Sequence, residues 1–337
     1  MANVLVTGGG GYVGSALVPK LLAAGHRVRV LDLFLYGDDA LDGCRGQPGY
    51  GEVKGDLRAP AALQRALEGC DAVIHLACIS NDPSFELDPA LGRSINYDAF
   101  RPLVRAAKQA GVERFIFASS SSVYGIKGEP EVTEDLPPEP LTAYSRYKAA
   151  CERILAEERE GGFVTLVLRP ATVCGYAPRQ RLDLTVNLLT NHAVNRGRIT
   201  VFGGGQTRPN IHIEDMTDLY VRCLEYPDHQ IDGKTFDVGF ENHTVLALAE
   251  KVRDVVGNGV DLVVRPTDDQ RSYRVSSEKI HRELGFTPRR TIEDAVRDLC
   301  MAFQSGRLPR SMEDDRYYNV RRLKTLKLRG LPSIDGA

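Results

Sequence analysis

What this chain lacks bounds it first. Its 43 basic and 45 acidic side chains leave a net charge of −2. That is no electrostatic footprint for nucleic acid or for an anionic membrane surface. No apolar run reaches the roughly 20 residues that span a bilayer. The seven cysteines (44, 70, 78, 151, 174, 223 and 300) are scattered and form no CxxC pair. They read as reduced thiols, not as a disulfide frame or a zinc site, and no metal is expected. There is no internal repeat and no low-complexity segment. An apolar strand pattern begins at residue 3, which leaves no room for a leader peptide and points to a cytoplasmic protein. The remaining composition, 42% hydrophobic and 26% charged, suits one large or two modest globular domains.

What is present is an alternation of strand and helix. Apolar strand patterns lie at residues 4–6, 28–31, 73–76, 115–118 and 164–168, with helical patterns at 61–67, 98–110 and 144–158 between them. Such alternation predicts a doubly wound parallel α/β sheet of the Rossmann type. Gly25, Gly69 and Gly111 each follow a helix, where a left-handed cap is usual. Past residue 170 the pattern is less regular. Residues 171–310 are expected to form a smaller α/β lobe over the C-terminal edge of the sheet, with the chain able to cross between the two. That edge is where ligands bind in open α/β sheets. Residues 311–337 read as a polar, basic tail, solvated or clasping.

The first fourteen residues are the most specific. The apolar run 3–7 meets Gly8-Gly9-Gly10-Gly11-Tyr12-Val13-Gly14 and then a helical pattern. Gly8 permits a tight turn, Gly11 lets the backbone approach a pyrophosphate, and Gly14 lets the helix pack closely. The phosphates would lie on the helix N-terminus. Asp32 ends the second strand, placed to accept from the adenosine ribose hydroxyls. A carboxylate there repels a 2′-phosphate, and Leu33 and Phe34 after it offer no arginine, so NAD is expected over NADP. Asp56, before Leu57, either accepts from the adenine amino group or caps the next helix. His75 reads as a packed strand residue before Leu76 and Ala77.

Tyr144 and Lys148 are four apart on a predicted helix and so share a face. The lysine charge favours ionisation of the tyrosine, and an ionised tyrosine can take a proton from a sugar hydroxyl as hydride leaves. A serine from the run Ser119 to Ser122, at the end of the preceding strand, can orient the same hydroxyl. Spacing alone does not choose among the four. Arg179, Arg181, Arg208 and Arg271 fall in predicted loops of the second half, and their planar forks match a diphosphate. Asn187 near a helix start is a further diphosphate contact. Ser80 and Asn81, with Asp82, either meet sugar hydroxyls or cap their loop. Asp215 reads as the cap of the following helix.

Together these motifs resemble the extended short-chain dehydrogenase/reductase superfamily, in its nucleotide-sugar epimerase/dehydratase branch. The carriers are TGGGGYVG from Thr7, Asp32, Gly55-Asp56-Leu57, His75-Leu76-Ala77, SSSSVYG, YSRYK, Leu168-Arg169-Pro170 and Arg208-Pro209-Asn210-Ile211-His212-Ile213. The resemblance implies Ser120 as the active serine and Tyr144 with Lys148 as the acid/base pair, also holding NAD. It makes Arg208 and Arg271 the best arginine contacts for a nucleotide-diphosphate sugar. It also implies a homodimer bundled through the helices at 98–110 and 144–158, although core packing leaves the same pattern.

Dehydratases of that branch carry Asp-Glu after the active residue, and decarboxylases usually keep the glutamate. Here those positions are Ser121 and Ser122, which would instead face the substrate. Epimerisation at sugar C4 through transient oxidation is the leading expectation. Net oxidation or reduction at C4 is the alternative, because the segments at 179–184 and 268–276 resemble a sub-branch that includes nucleotide-heptose C4 dehydrogenases. A non-catalytic NAD sensor on the same fold is the third reading. One departure stands out: Thr172-Val173-Cys174-Gly175-Tyr176 replaces the Asn-Val-Tyr-Gly-Pro often found in the branch.

Overall fold

The computed structural model describes residues 1–329 except 128, 130, 258 and 269–271. Seven parallel strands form the central sheet: β1 (Asn3–Thr7), β2 (Arg27–Asp32), β3 (Tyr50–Lys54), β4 (Ala72–His75), β5 (Arg114–Ala118), β6 (Val164–Pro170) and, much later in the chain, Lys234–Val238. Reading across the sheet from its late edge, that last strand is followed by β6, β5, β4, β1, β2 and β3. Strand order therefore reverses beside β1, between β1 and β4. That reversal opens the crevice in which this class of sheet binds ligands.

Side-chain alternation along each strand builds the two faces. Val4 and Val6 enter one core with Ile74, Ile116, Leu166 and Leu168. Leu5 enters the other with Val73, Phe115, Phe117 and Val167. The first face is covered by the helices Tyr12–Ala23 and Ile213–Arg222, the second by Pro60–Leu67, Phe100–Gln109 and Ala143–Glu157. Gly25, Gly69 and Gly111 take φ of +85°, +66° and +82°, as expected of residues that end helices.

The second lobe packs Thr185–Arg196, Val245–Val256 and Ile292–Gln304 around their own apolar cluster. It carries two small sheets built from β7 (Thr172–Cys174), β8 (Arg198–Phe202), β9 (Thr207–His212) and the later strands Glu241–Thr244 and Asp261–Arg265. The chain crosses between lobes repeatedly: the helices Ile213–Arg222 and Glu278–Leu284 also pack in the core of the first sheet. Lys234–Val238 returns to pair with β6. The C-terminal helix Asn319–Arg329 also comes back: Arg322 donates to the Leu35 carbonyl at 2.7 Å, and Leu323 is buried in the core that contains Leu5. Part of the segment predicted as a basic tail, residues 319–329, is a helix held at Leu35 and at the core of the first lobe. Its apolar Leu323 and the buried Asn319 supply what the basic composition hid.

Candidate active site

The first turn after β1 is shaped by close backbone approach. Gly8 has φ +75°, and its N–H donates to the Leu31 carbonyl at 2.9 Å. A Cβ on Gly8 would lie 2.6 Å from the Ala77 nitrogen, and one on Gly14 would lie 2.5 Å from the Gly8 oxygen and from the Gly9 Cα. Helix Tyr12–Ala23 starts at Gly11 with no side-chain cap and no acid in its first turn. Its leading N–H groups are therefore available to an anion. Asp32 lies across the turn and accepts from the N–H groups of Gly10 (2.9 Å) and Phe34 (2.7 Å). Burial pushes its carboxyl up, and the two N–H groups work against that rise.

Gly8, Gly11, Tyr12, Val13, Gly14, Asp32, Asp56, Leu57, Leu76 and Ala77 all line one cleft, with Tyr144 and Lys148 at the same cavity. Asp56 does not cap a helix. The Pro60–Leu67 helix is capped at Ala59, and Asp56 is held by Arg58 in a 2.5 Å ion pair. Burial raises the Asp56 carboxyl, yet the Arg58 bonds more than offset it, so it lies below its usual range.

At the other end of the cleft, a capping box joins Thr142 and Ser145 and places Tyr144 in the first turn of Ala143–Glu157. Lys148 is buried one turn on. Its Nζ donates to the Ala118 carbonyl at 2.6 Å and stands 5.9 Å from the centre of the Tyr144 ring. The geometry sorts the serines. Ser119 donates to Glu152, and Ser121 lies 3.3 Å from the Tyr273 hydroxyl. Ser120 sits 2.9 Å from the Ser122 hydroxyl, and its hydroxyl acts on the Tyr144 phenol by lowering it.

One expectation is corrected. The Tyr144 phenol is pushed well above its usual value, first by burial and then by Cys78 and Asp82, with Arg181 and Ser120 opposing. The Lys148 ammonium, which donates to Ala118 and stands 4.9 Å from the centre of the Phe117 ring, does not outweigh that burial.

His75 is a packed strand residue, as read. It is 3% exposed, 2.7 Å from the Thr7 hydroxyl, and stacked on Phe117. Burial, then Lys148, lowers it from 6.5 to about 3. The unfolded chain therefore binds a proton that the fold refuses between those values. The contribution of a neutral His75 is complete above pH 6.5 and is lost as pH falls toward 3, to the order of about 5 kcal/mol. His75→Phe is expected to flatten the fall of urea-unfolding stability between pH 6.5 and 4. An unchanged slope would assign the acid sensitivity to other groups.

The substrate residues named from sequence divide. Ser80 lines the cleft and accepts from Arg181 (3.0 Å) and from Asn319 (3.0 Å). Asn81 caps the short helix Asp82–Glu86 through Ser84. Ser121 and Ser122 stand beside Ser120 in the turn Ser121–Tyr124. Arg179 and Arg181 are buried at the cleft, not exposed on a loop.

Three further expectations meet corrections. Asn187 is fully buried, and its amide donors are spent on the Tyr12 hydroxyl and the Arg181 carbonyl, so it ties loop to helix and does not reach a diphosphate. Arg208 lies on strand β9 and not in a loop, outside the residues that line the cleft. Asp215 is not a cap: His212 caps that helix, while Asp215 accepts from both backbone and side chain of Arg290. Arg271 lies outside the described residues.

Sequence reasoning missed Tyr36, Cys78 and Asn319, which also line the cleft. The Tyr317-Tyr318-Asn319 run inside a basic tail was the available signal, since two buried aromatics there mark packing.

A seven-stranded parallel sheet with a glycine turn at its switch point defines a dinucleotide-binding protein of the Rossmann type. The chain belongs to the NAD dependent epimerase/dehydratase family, whose model matches residues 4–239. It is 28% identical over 318 residues to a UDP-glucose 4-epimerase from Lactobacillus helveticus, covering 87% of this chain and 94% of the relative. It is 29% identical over 307 residues to a dTDP-glucose 4,6-dehydratase from Streptomyces griseus, covering 87% and 92%. Among solved structures, a UDP-glucuronic acid 4-epimerase from Bacillus cereus, in complex with UDP-glucuronic acid and NAD, superposes with a TM-score of 0.81. That match has 25% identity and covers 90% of this chain and 99% of the neighbour. The family is NAD-dependent, and NAD is the cofactor. Among the described residues, no helix is long and apolar enough to cross a membrane.

Proposed function

We propose that this chain is an NAD-dependent nucleotide-sugar epimerase acting through transient oxidation at sugar C4. The observation that carries the reading is Tyr144 and Lys148 in one cleft with Ala118 and Ser119, just before positions 121 and 122 that hold serine and no carboxyl. The cradle at Gly8 and Gly14, where a Cβ would clash, and the uncapped helix start fit the NAD diphosphate. Gly11, Tyr12, Val13 and Gly14 would hold it through backbone N–H groups, with Asp32 on the adenosine ribose. NAD supplies the hydride acceptor and, when oxidised, a positive charge that favours the phenolate. Tyr144 takes the proton from the C4 hydroxyl, Ser120 orients that hydroxyl, and Lys148 holds the nicotinamide ribose. The 4-keto sugar then turns its other face, takes the hydride back at C4 and recovers the proton from Tyr144.

Elimination of water or loss of carboxylate needs a further acid/base at the turn. Asp82 accepts from Thr142 at 2.6 Å, and Glu152 is paired to Arg169 at 2.6 Å. Neither stands in for the missing Asp-Glu pair.

The test is incubation of the purified protein with a panel of nucleotide sugars, following nicotinamide absorbance and sugar identity together. A new sugar epimer without net NADH is the expected result. Stoichiometric NADH with a 4-keto product would replace the epimerase by a dehydrogenase.

A further inference from the structure

Arg179 is anchored to the helix that follows the glycine turn. Its backbone N–H donates at 3.0 Å to the hydroxyl of Ser15, in the helix whose N-terminus forms the anion site. Its side chain lines the cleft together with Gly10, Gly11 and Asp32. The guanidinium lies 3.9 Å from the centre of the Tyr36 ring and donates to the Asn319 side-chain oxygen at 2.6 Å.

Arg179 is only 5% exposed, yet among the described residues no carboxylate comes within ion-pairing distance of it. Arg181, two residues on, is paired with Asp183 at 2.9 Å. Two polar atoms are buried here without a partner, Arg179 Nε and the Tyr36 hydroxyl, and both residues line the cleft with Gly10, Gly11 and Asp32. A buried cation and orphaned donors are costly unless an acceptor arrives. Burial already lowers the guanidinium to about 10. An arginine fork beside a helix N-terminus matches a diphosphate.

We propose that Arg179, aimed by Tyr36 and Asn319, is a ligand for the diphosphate of the dinucleotide and not for the nucleotide sugar. The C-terminal helix, which begins at Asn319, thereby becomes part of the cofactor site. Asn319 is a positioning residue: its Nδ2 donates to Ser80 and its backbone N–H to Asp183, so it is fixed from both lobes. The assignment rests on the dinucleotide cleft alone and stands whichever reaction follows at C4.

The test is calorimetric titration of nucleotide-free, full-length protein with NAD, ADP-ribose and UDP. Arg179→Gln is expected to weaken NAD and ADP-ribose alike by about 10- to 100-fold, the range for losing a charged hydrogen bond. UDP affinity is expected to stay within about twofold of wild type. Weaker UDP with unchanged NAD would return Arg179 to the substrate and overturn the assignment. Unchanged affinity for all three would reduce it to a packing residue. If Arg179→Gln does not fold, Arg179→Lys is read instead. It keeps the charge but loses the fork, so weaker NAD with unchanged UDP supports the assignment, and wild-type affinities overturn it.

Discussion

Tyr144→Phe is expected to cut turnover by about 100- to 10,000-fold, the usual contribution of a positioned acid/base. The substitution deletes one oxygen from a ring already held by its helix, and Ser120 and Lys148 remain in place. NAD affinity is therefore expected to change by less than about twofold, since the diphosphate and adenosine contacts lie elsewhere in the cleft. Burial holds the phenol above its usual value. The active base is then lost as pH falls, so wild-type kcat should decline toward acid. Single-turnover kinetics with direct NAD titration would check both halves. Full activity in the phenylalanine variant would remove Tyr144 from the mechanism.

Arg169→Met is expected to have the largest effect on stability. Arg169 ends the sheet side of a buried chain of polar groups. It makes two bonds to Glu152, Nε to Oε1 at 3.0 Å and Nη2 to Oε2 at 2.6 Å. It also donates to the Tyr124 hydroxyl at 2.6 Å, and that hydroxyl donates to Asp237 at 2.7 Å. The side chains of Arg169 and Glu152 are 7% and 10% exposed. Removing the arginine leaves an uncompensated buried carboxylate, at a cost of about 3–5 kcal/mol. Glu152 sits on the helix of Tyr144 and Lys148 and receives the Ser119 hydroxyl, so activity should fall with stability. Urea unfolding measures the loss. Adding Glu152→Leu to the same chain should recover most of it, because the stranded charge is then gone. A double variant no more stable than Arg169→Met would show that the cost is packing.

The two halves of the site differed in how far they could be read from residues. The glycine turn, Asp32 and the helical pair Tyr144 and Lys148 are local features. Each is set by a strand end, a turn or one helical repeat, and such spacings are visible in a string of letters. The proposal of Ser120 among four serines is not a local reading. It depended on Glu152 taking Ser119 and on Tyr273 meeting Ser121, partners 33 and 152 residues away. Asn187 and Asp215 misled for the same reason. An asparagine near a helix start and an aspartate before a helical run can equally serve a ligand, a cap or a distant bond. Only the position of Tyr12 and Arg290 in space selects the last.

By itself the sequence determined the doubly wound sheet, the glycine turn and the placing of Tyr144 and Lys148 on one helix, because periodicity and glycine spacing follow from backbone geometry over a few residues. Tertiary structure alone decided three things. It returned the strand Lys234–Val238 to the first sheet, held the Tyr144 phenol up by burial, and brought Asn319 from the basic tail to Arg179 at the dinucleotide cleft. Each of these depends on which groups are taken out of water together. Desolvation and long-range contact are properties of the packed chain, and no short window of residues contains them.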